Sequence, residues 1–370
     1  MSPRPRFCPR RAMPTRPLPP AVWACGWRII WQRAGVVAMP DGLSAAHVSD
    51  RAVTAAGVGF GCASLGSRIG ATEGRRALER ALAAGITWFD VAPAYGDGQA
   101  ERILGAFAAA HPGAITITSK VGLAPRPMGW RGALRPLARS AVAMLPQLRG
   151  LAATGRVPAR LPLGPETLRQ SVGASLAALR GAPIDRLMLH DPDPADVTRP
   201  DLLACLTDLL REGRVGAVGV AGSTAAAAAA VVLGAPYSLV QIASSPFDPA
   251  ALAPWLAGWR RAGGGVVTHG ALGAGGALAR LAALVARPDT GLRAALAAAG
   301  YDDGPPRTAA AAFLTDYALA ANRGGICLFS ACAPHHLEAL AARMAAPRRL
   351  ADLMPVLDRL NLMSATGTTP

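Results

Sequence analysis

A single lysine, Lys120, stands in this chain against thirty-seven arginines, and it closes an apolar, strand-like run that begins at Ala114. Where a positive charge is merely solvated or paired, arginine serves as well, whereas a basic group whose pKa is tuned by its neighbours is a task for lysine. The plain alternative is a chance survivor in a composition that disfavours lysine. Other polar residues occupy matching places: Asp90 closes the run Ile86 to Asp90, Tyr95 follows on the loop after it, and His190 closes Arg186 to His190. A carboxylate, a phenol, an ammonium and an imidazole together suit carbonyl reduction. Hydride arriving at a carbonyl carbon leaves negative charge on oxygen, so the site needs a proton donor and fixed positive or hydrogen-bonding groups aimed at that oxygen. A tyrosine hydroxyl has a pKa of about 10, and a nearby ammonium is expected to bring it down. In this reading Tyr95 is the general acid, Lys120 lowers its pKa, Asp90 holds and balances the ammonium, and His190 hydrogen-bonds the carbonyl oxygen. Run backwards, the tyrosinate accepts the proton of an alcohol. Taken singly, Asp90 is as readily a strand-end carboxylate, Tyr95 a rim aromatic, His190 a core histidine, and Asp97 or Asp191 a turn former. A different chemistry, with Lys120 as a Schiff-base nucleophile, requires a lysine without a carboxylate partner and able to become neutral.

The elements that must position these groups are written in the apolar pattern from Gly57 onward. Eight short runs rich in Val, Ile, Leu or Phe lie near Val58 to Cys62, Ile86 to Asp90, Ala114 to Lys120, Arg186 to His190, Val215 to Val220, Leu239 to Ile242, Gly265 to Thr268 and Ile326 to Ser330. Stretches of helical period fit between them at Glu73 to Ala84, Ala100 to Ala110, Glu166 to Leu179, Pro200 to Arg211, Thr224 to Leu233, Ala251 to Ala262 and Arg307 to Ala321. Alternating strands and helices imply parallel pairing with right-handed crossovers, and eight repeats suffice to close an α/β (β/α)8 TIM barrel. An open doubly wound sheet wants a Gly-x-Gly-x-x-Gly turn after its first strand, and Gly59 to Ser64 does not supply one. In a barrel, reactive groups gather where strands end, which is where Asp90, Lys120 and His190 fall.

With 370 residues and 51% hydrophobic content, the chain is long enough for one large α/β domain. Its net charge of +15 is local: residues 1–50 contribute +5, residues 121–164 contribute +7, and all others together +3. No aromatic-interleaved basic stripe of the kind that binds single strands accompanies it, so no nucleic-acid partner is expected. Arg126, Arg131 or Arg135, in the acid-free stretch after Lys120, are candidates to recruit an anionic substrate, against the simpler reading of a solvated loop; Trp130 and Met128 are candidate apolar pocket walls. The six cysteines form no Cys-x-x-Cys pair and have no His spacing suited to zinc, which points to free thiols in a reducing compartment and to no metal. The uncharged stretch Val215 to Phe247 is cut by Gly and Pro into strand, helix and strand, so no membrane span is expected. Residues 1–50 read as a basic Pro/Arg-rich disordered extension, with synthesis beginning at Met39 or a targeting role as the alternatives; 51–362 read as the barrel and 363–370 as a disordered tail.

The motifs carry a resemblance. Gly85-Ile86-Thr87-Trp88-Phe89-Asp90-Val91-Ala92-Pro93-Ala94-Tyr95-Gly96 with Glu101 and Leu104-Gly105, then Ser119-Lys120-Val121-Gly122, then Ser175-Leu176 leading through Ile184-Asp185 to Leu189-His190, resemble the aldo-keto reductases. The match runs from about Gly57 to Met344. The resemblance implies a (β/α)8 barrel and Tyr95 as general acid/base with Asp90, Lys120 and His190; Trp130, from its place in the loop after Lys120, is expected to join Tyr95 and His190 on the substrate side. The resemblance also implies a nicotinamide cofactor in the barrel mouth, touched by Asp90, Gln241, His269, Leu272, Gly273, Ser330 and His336. His269 takes the place of a family aromatic that stacks on the ring. Where the family commonly has Ser-Asn, this chain has Ala221-Gly222, so two carboxamide hydrogen bonds are lost or replaced by backbone and water. Cys332 stands where a basic residue usually grips the adenosine phosphate, with Ser330, His336 and Arg343 as candidates to compensate, so the implied preference for NADP(H) over NAD(H) is slight. The function expected is a cytoplasmic enzyme, monomeric or a small homo-oligomer, interconverting an aldehyde or ketone and an alcohol, such as a sugar derivative. A cofactor-sensing regulatory barrel with slow or no turnover is the alternative.

Overall fold

The computed structural model describes residues 57–124, 158–301 and 304–365. The extension 1–50, the loop residues Arg126, Met128, Trp130, Arg131 and Arg135, and the final residues 366–370 lie outside the described residues.

All eight expected strands form: β1 Gly57–Gly61, β2 Trp88–Asp90, β3 Thr116–Val121, β4 Ile184–His190, β5 Val215–Ala221, β6 Tyr237–Ala243, β7 Gly265–His269 and β8 Ile326–Phe329. They pair in parallel, each with the next, and β1 with β8 closes the barrel. Helices return the chain between strands: α1 Ala71–Ala83, α2 Ala100–Ala110, α3 Pro165–Ala178, α4 Pro200–Arg211, α5 Thr224–Leu233, α6 Trp255–Arg261, α7 Ala277–Ala286, α8 Leu292–Ala298 and α9 Pro306–Ala321, with α10 Pro334–Ala345 and α11 Leu350–Ala365 after β8. The last helix continues into the segment expected to be a tail.

Alternation along each strand sorts side chains to two faces. Trp88, Met188, Leu239, Val267, Ile326 and Leu328 fill the barrel interior, while residues such as Phe89, Ile117, Leu187, Leu189 and Val240 pack outward against the helices. Below the mouth the interior is therefore solid, and the polar residues one step further along the same face are the ones presented at its C-terminal end. Gly59 shows how tight the packing is: a Cβ there would lie 2.6 Å from Leu328 and 2.9 Å from Trp88. A separate core, built from Leu281, Leu284, Leu292, Leu296, Phe313 and Leu353, joins α7, α8, α9 and α11. The strand and helix pattern did not foretell it.

Candidate active site

Register brings the reactive groups together. Asp90 pairs with Thr118 across β2 and β3, and Lys120 stands two residues on, on the same inward face. Lys120 is 1% exposed and Asp90 2%. The ammonium donates to Asp90 Oδ1 and, at 3.2 Å, to the carbonyl of Val91. Burial pushes the lysine pKa down, but Asp90 and the Tyr95 hydroxyl more than offset it, and the pKa is raised from its ordinary value. Lys120 is thus a fixed cation with a carboxylate partner, which is the opposite of what a Schiff-base lysine needs.

The Lys120 ammonium lies 4.8 Å from the Tyr95 ring centroid, and the Tyr95 ring meets His190 edge-on at 5.8 Å and 86°. Asp90, Tyr95, Lys120 and His190 therefore share one volume at the barrel mouth. One expectation is corrected. Burial, with a contribution from Asp90, outweighs the pull of Lys120, so the Tyr95 pKa rises rather than falls. The ammonium still favours a phenolate, but Asp90 cancels part of that pull and burial prevails. In the free protein Tyr95 is a protonated hydroxyl, the state a proton donor requires.

The loop that presents Tyr95 has a left-handed run, with φ of 60° at Gly96, 56° at Asp97 and 82° at Gly98. Gly96 is obligatory there, since a Cβ would sit 1.6 Å from the Leu65 carbonyl oxygen. The turn that carries Tyr95 thus rests directly on the backbone after β1.

His190 ends β4 beside Ala221 of β5. Burial, Lys120 and His269 push its pKa down to about 3. The imidazole is neutral from about pH 4 upward, so it serves as a hydrogen-bond donor or acceptor and not as a cation. The expected pH profile of turnover has no acidic limb at about pH 6 to 7, the range of an ordinary histidine; such a limb that His190→Gln abolishes would show that this imidazole titrates there.

Residues at the other strand ends suit a nicotinamide. Gln241, 3% exposed, has a buried Oε1 without a hydrogen-bond partner, and Asp90 has an equally orphaned Oδ2. Two buried acceptors facing a polar mouth call for donors such as carboxamide N–H or ribose hydroxyls. His269 ends β7, half-buried, within electrostatic reach of Asp90 and Lys120, and burial keeps its pKa low. Leu272 is half-buried between the two outer cores, and Gly273 is exposed, its N–H donating to Gly270 O at 3.1 Å. The Gly222 N–H donates to Gln241 O, so it does not replace a lost side-chain contact.

At the turn from β8 to α10, the exposed Ser330 hydroxyl donates to Gly61 O at 2.8 Å, and the exposed His335 and His336 rings lie 4.1 Å apart on the first turn of α10. Arg343 does not belong to this group. Its guanidinium pairs at 2.6 Å with Asp316, a 1% exposed carboxylate that also accepts from Tyr301. Basic groups reach the turn from the β1–α1 side instead: Arg80 donates to Cys332 O at 3.0 Å, and the charge of Arg68 is felt at the Cys332 thiol. The sequence reading missed both, and it missed Cys62, fully buried just past β1, whose thiol pKa is raised by burial and by Asp90. Applying the strand-end rule to the first run would have flagged Cys62.

Beside His190 a cleft of about 380 Å³ is lined by Gly122, Arg160, Asp191, Asp193 and Arg199 among others. The acid-free segment returns here, its Leu161 N–H donating to Gly122 O at 2.8 Å. Arg160, the one arginine of that segment among the described residues, bonds Asp191 at 2.7 Å and Asp193 at 2.8 Å. It is committed to carboxylates rather than held open for an anion. No group of three or more His, Cys, Asp or Glu that could hold a metal occurs among the described residues.

The model of the Aldo/keto reductase family matches residues 57–348. A D-threo-aldose 1-dehydrogenase from a Pseudomonas species is 30% identical over 198 residues, covering 50% of this chain and 56% of the relative, so the matched stretch spans about half of that protein. Among solved structures, a glycerol dehydrogenase from Gluconobacter oxydans gives a TM-score of 0.59 at 21% identity, with 82% of this chain and 90% of that one covered. An aldo-keto reductase from Klebsiella pneumoniae in complex with NADPH gives 0.57 at 17% identity, with 82% and 90% covered. At such identities the solved structures speak to the fold.

Proposed function

The chain belongs to the aldo/keto reductase family, and we propose that it is an NAD(P)H-dependent oxidoreductase interconverting an aldehyde or ketone and an alcohol, with Tyr95 as general acid/base. The observation that carries this reading is the buried Lys120–Asp90 pair with the Tyr95 ring 4.8 Å from the ammonium and His190 against its edge. A reduced nicotinamide, when bound, supplies the hydride. Gln241 and the free oxygen of Asp90 are the residues to hold it, with His269, Leu272, Gly273, Ser330 and His336 around them. Tyr95 holds the proton that the carbonyl oxygen takes up. Neutral His190 donates a hydrogen bond to the same oxygen and fixes its approach, and Lys120 offsets the charge that collects on the phenol oxygen as the proton leaves. In the direction of alcohol oxidation the proton returns to Tyr95.

The polar, ion-paired wall beside His190 favours a hydroxyl-rich substrate, a sugar or polyol derivative, because carboxylates already bonded to arginine keep lone pairs for hydroxyls. The aldose dehydrogenase relative agrees with that choice. Ser330, His336 and Arg68 near the α10 turn support a slight preference for NADP(H) over NAD(H). No helix among the described residues is long and apolar enough to cross a membrane, and the proposed setting is the cytoplasm, as a monomer or small homo-oligomer. A cofactor-sensing barrel with slow turnover is the second reading, favoured by the Ala221-Gly222 departure. Incubation with glyceraldehyde or an aldose while following NADPH and NADH absorbance separates the two. Oxidation of either cofactor is expected, faster with NADPH; tight binding of cofactor with no oxidation across a panel of carbonyls and sugars would point to the sensor, and no binding of either cofactor would end both readings.

A further inference from the structure

The mechanism leaves one buried carboxylate at the site unused. Glu101, 5% exposed, lies in the first turn of α2, directly after the Tyr95 loop. It accepts a hydrogen bond of 2.6 Å from Ser119, the residue before Lys120, and the Ser175 side chain of α3 favours its charged form; both serines are fully buried. Because neighbouring strand residues face opposite ways, Ser119 points out of the barrel where Lys120 points in. The carboxylate therefore fastens the helix that ends the Tyr95 loop to the strand that carries Lys120. Nothing else described crosses from α2 to β3 through a buried polar contact. Behind Tyr95 the loop rests on Leu65, and ahead of it three consecutive left-handed residues lead into the helix that Glu101 anchors.

We infer that Glu101 is a positioning residue of the reaction: through Ser119 it sets the separation of the Tyr95 hydroxyl and the Lys120 ammonium. This rests on the reading of Tyr95 and Lys120 as the proton-transfer pair. Burial raises the Glu101 pKa, while the hydroxyls of Ser119 and Ser175 and the charge of Lys120 oppose that rise. Arg102, its neighbour on α2, is exposed, and Lys120 is the charged group whose field acts on Glu101.

Glu101→Ala, Glu101→Gln and Ser119→Ala, each compared with the unaltered chain in kcat, pH profile and NADPH affinity by fluorescence quenching, test the inference. Glu101→Ala is expected to lower kcat roughly tenfold to a hundredfold, the scale of an ångström of misplacement, at unchanged NADPH affinity. Glu101→Gln keeps an oxygen for Ser119 and should restore most of kcat. Its alkaline limb should move to lower pH, because an ammonium that loses an anionic neighbour loses its proton more readily. Should Glu101→Ala not fold, Ser119→Ala removes the same bond from the other side and is expected to lower kcat without moving the limb. Variants that melt earlier yet keep kcat and the pH profile would reduce Glu101 to a packing link and overturn the inference. A fully active Tyr95→Phe enzyme would instead remove the reading on which it rests, so the two failures are told apart.

Discussion

Replacing Tyr95 by phenylalanine is expected to lower turnover about a hundredfold or more, with NADPH affinity and melting temperature close to those of the unaltered chain. The substitution deletes one oxygen and leaves the ring that packs edge-on against His190 and beneath the Lys120 ammonium. The loop geometry comes from Gly96 and its neighbours and survives the change. What is lost is the proton: burial raises the Tyr95 pKa, so in the free protein the hydroxyl is intact and positioned as a donor. No other described group at the mouth replaces it, since His190 is held neutral and Lys120 is engaged by Asp90. Steady-state kinetics in the direction of reduction, with cofactor affinity measured separately, gives the comparison. Equal turnover in the two proteins would take the proton transfer away from Tyr95.

Lys120→Met is expected to abolish measurable turnover and also to destabilise the fold. Asp90 is 2% exposed and relies on Lys120 for its counter-charge, so removing the ammonium strands a buried anion, at a cost of about 3 to 5 kcal/mol. The carboxyl of the variant answers by taking up a proton, its folded-state pKa rising above the unfolded value of about 4. The penalty is then full above the raised folded-state pKa, shrinks as the pH falls between the two values, and is gone below the unfolded one, where both states are protonated. Adding Asp90→Asn to Lys120→Met removes the stranded charge and should recover most of the melting temperature, but none of the activity. A double variant no more stable than the single one would mean the pair is not coupled as described. Lys120→Arg should also be severely impaired, because a planar guanidinium does not fit where a compact ammonium reaches both Asp90 and the Val91 carbonyl.

The barrel was legible because its signal is local. Short β-rich runs bounded by Gly, Pro or Asp located every strand, and α2, α4 and α5 fall on the expected residues. The helix expected at Ala251 to Ala262 is shorter, Trp255–Arg261, since Pro254 admits only a new start and Ala250–Leu252 turns separately. Helices α7, α8 and α11 escaped because alanine dominates the first two and blurs the contrast between faces. Their apolar side chains find partners in Phe313 and Tyr317 of α9, a long-range match that no window displays. The strand-end rule located Asp90, Lys120 and His190, and their meeting with Tyr95 follows from closure of the sheet. The balance at Tyr95 was not legible, because whether a field or burial prevails depends on packing. Neither were the partners of Arg160 and Arg343, whose carboxylates lie 31 and 27 residues away in the chain. An arginine in a sequence announces a charge without saying what it is bonded to.

The most direct test of the site is to follow the hydride itself. With NADPH carrying deuterium at the transferred position of its nicotinamide ring and glyceraldehyde or an aldose as acceptor, mass spectrometry of the alcohol product is expected to find one deuteron on the former carbonyl carbon. The label should appear at a far lower rate with Tyr95→Phe. Cofactor that binds but leaves its deuterium in place with every carbonyl offered, or a label that arrives as fast without the Tyr95 hydroxyl, would contradict the proposed chemistry.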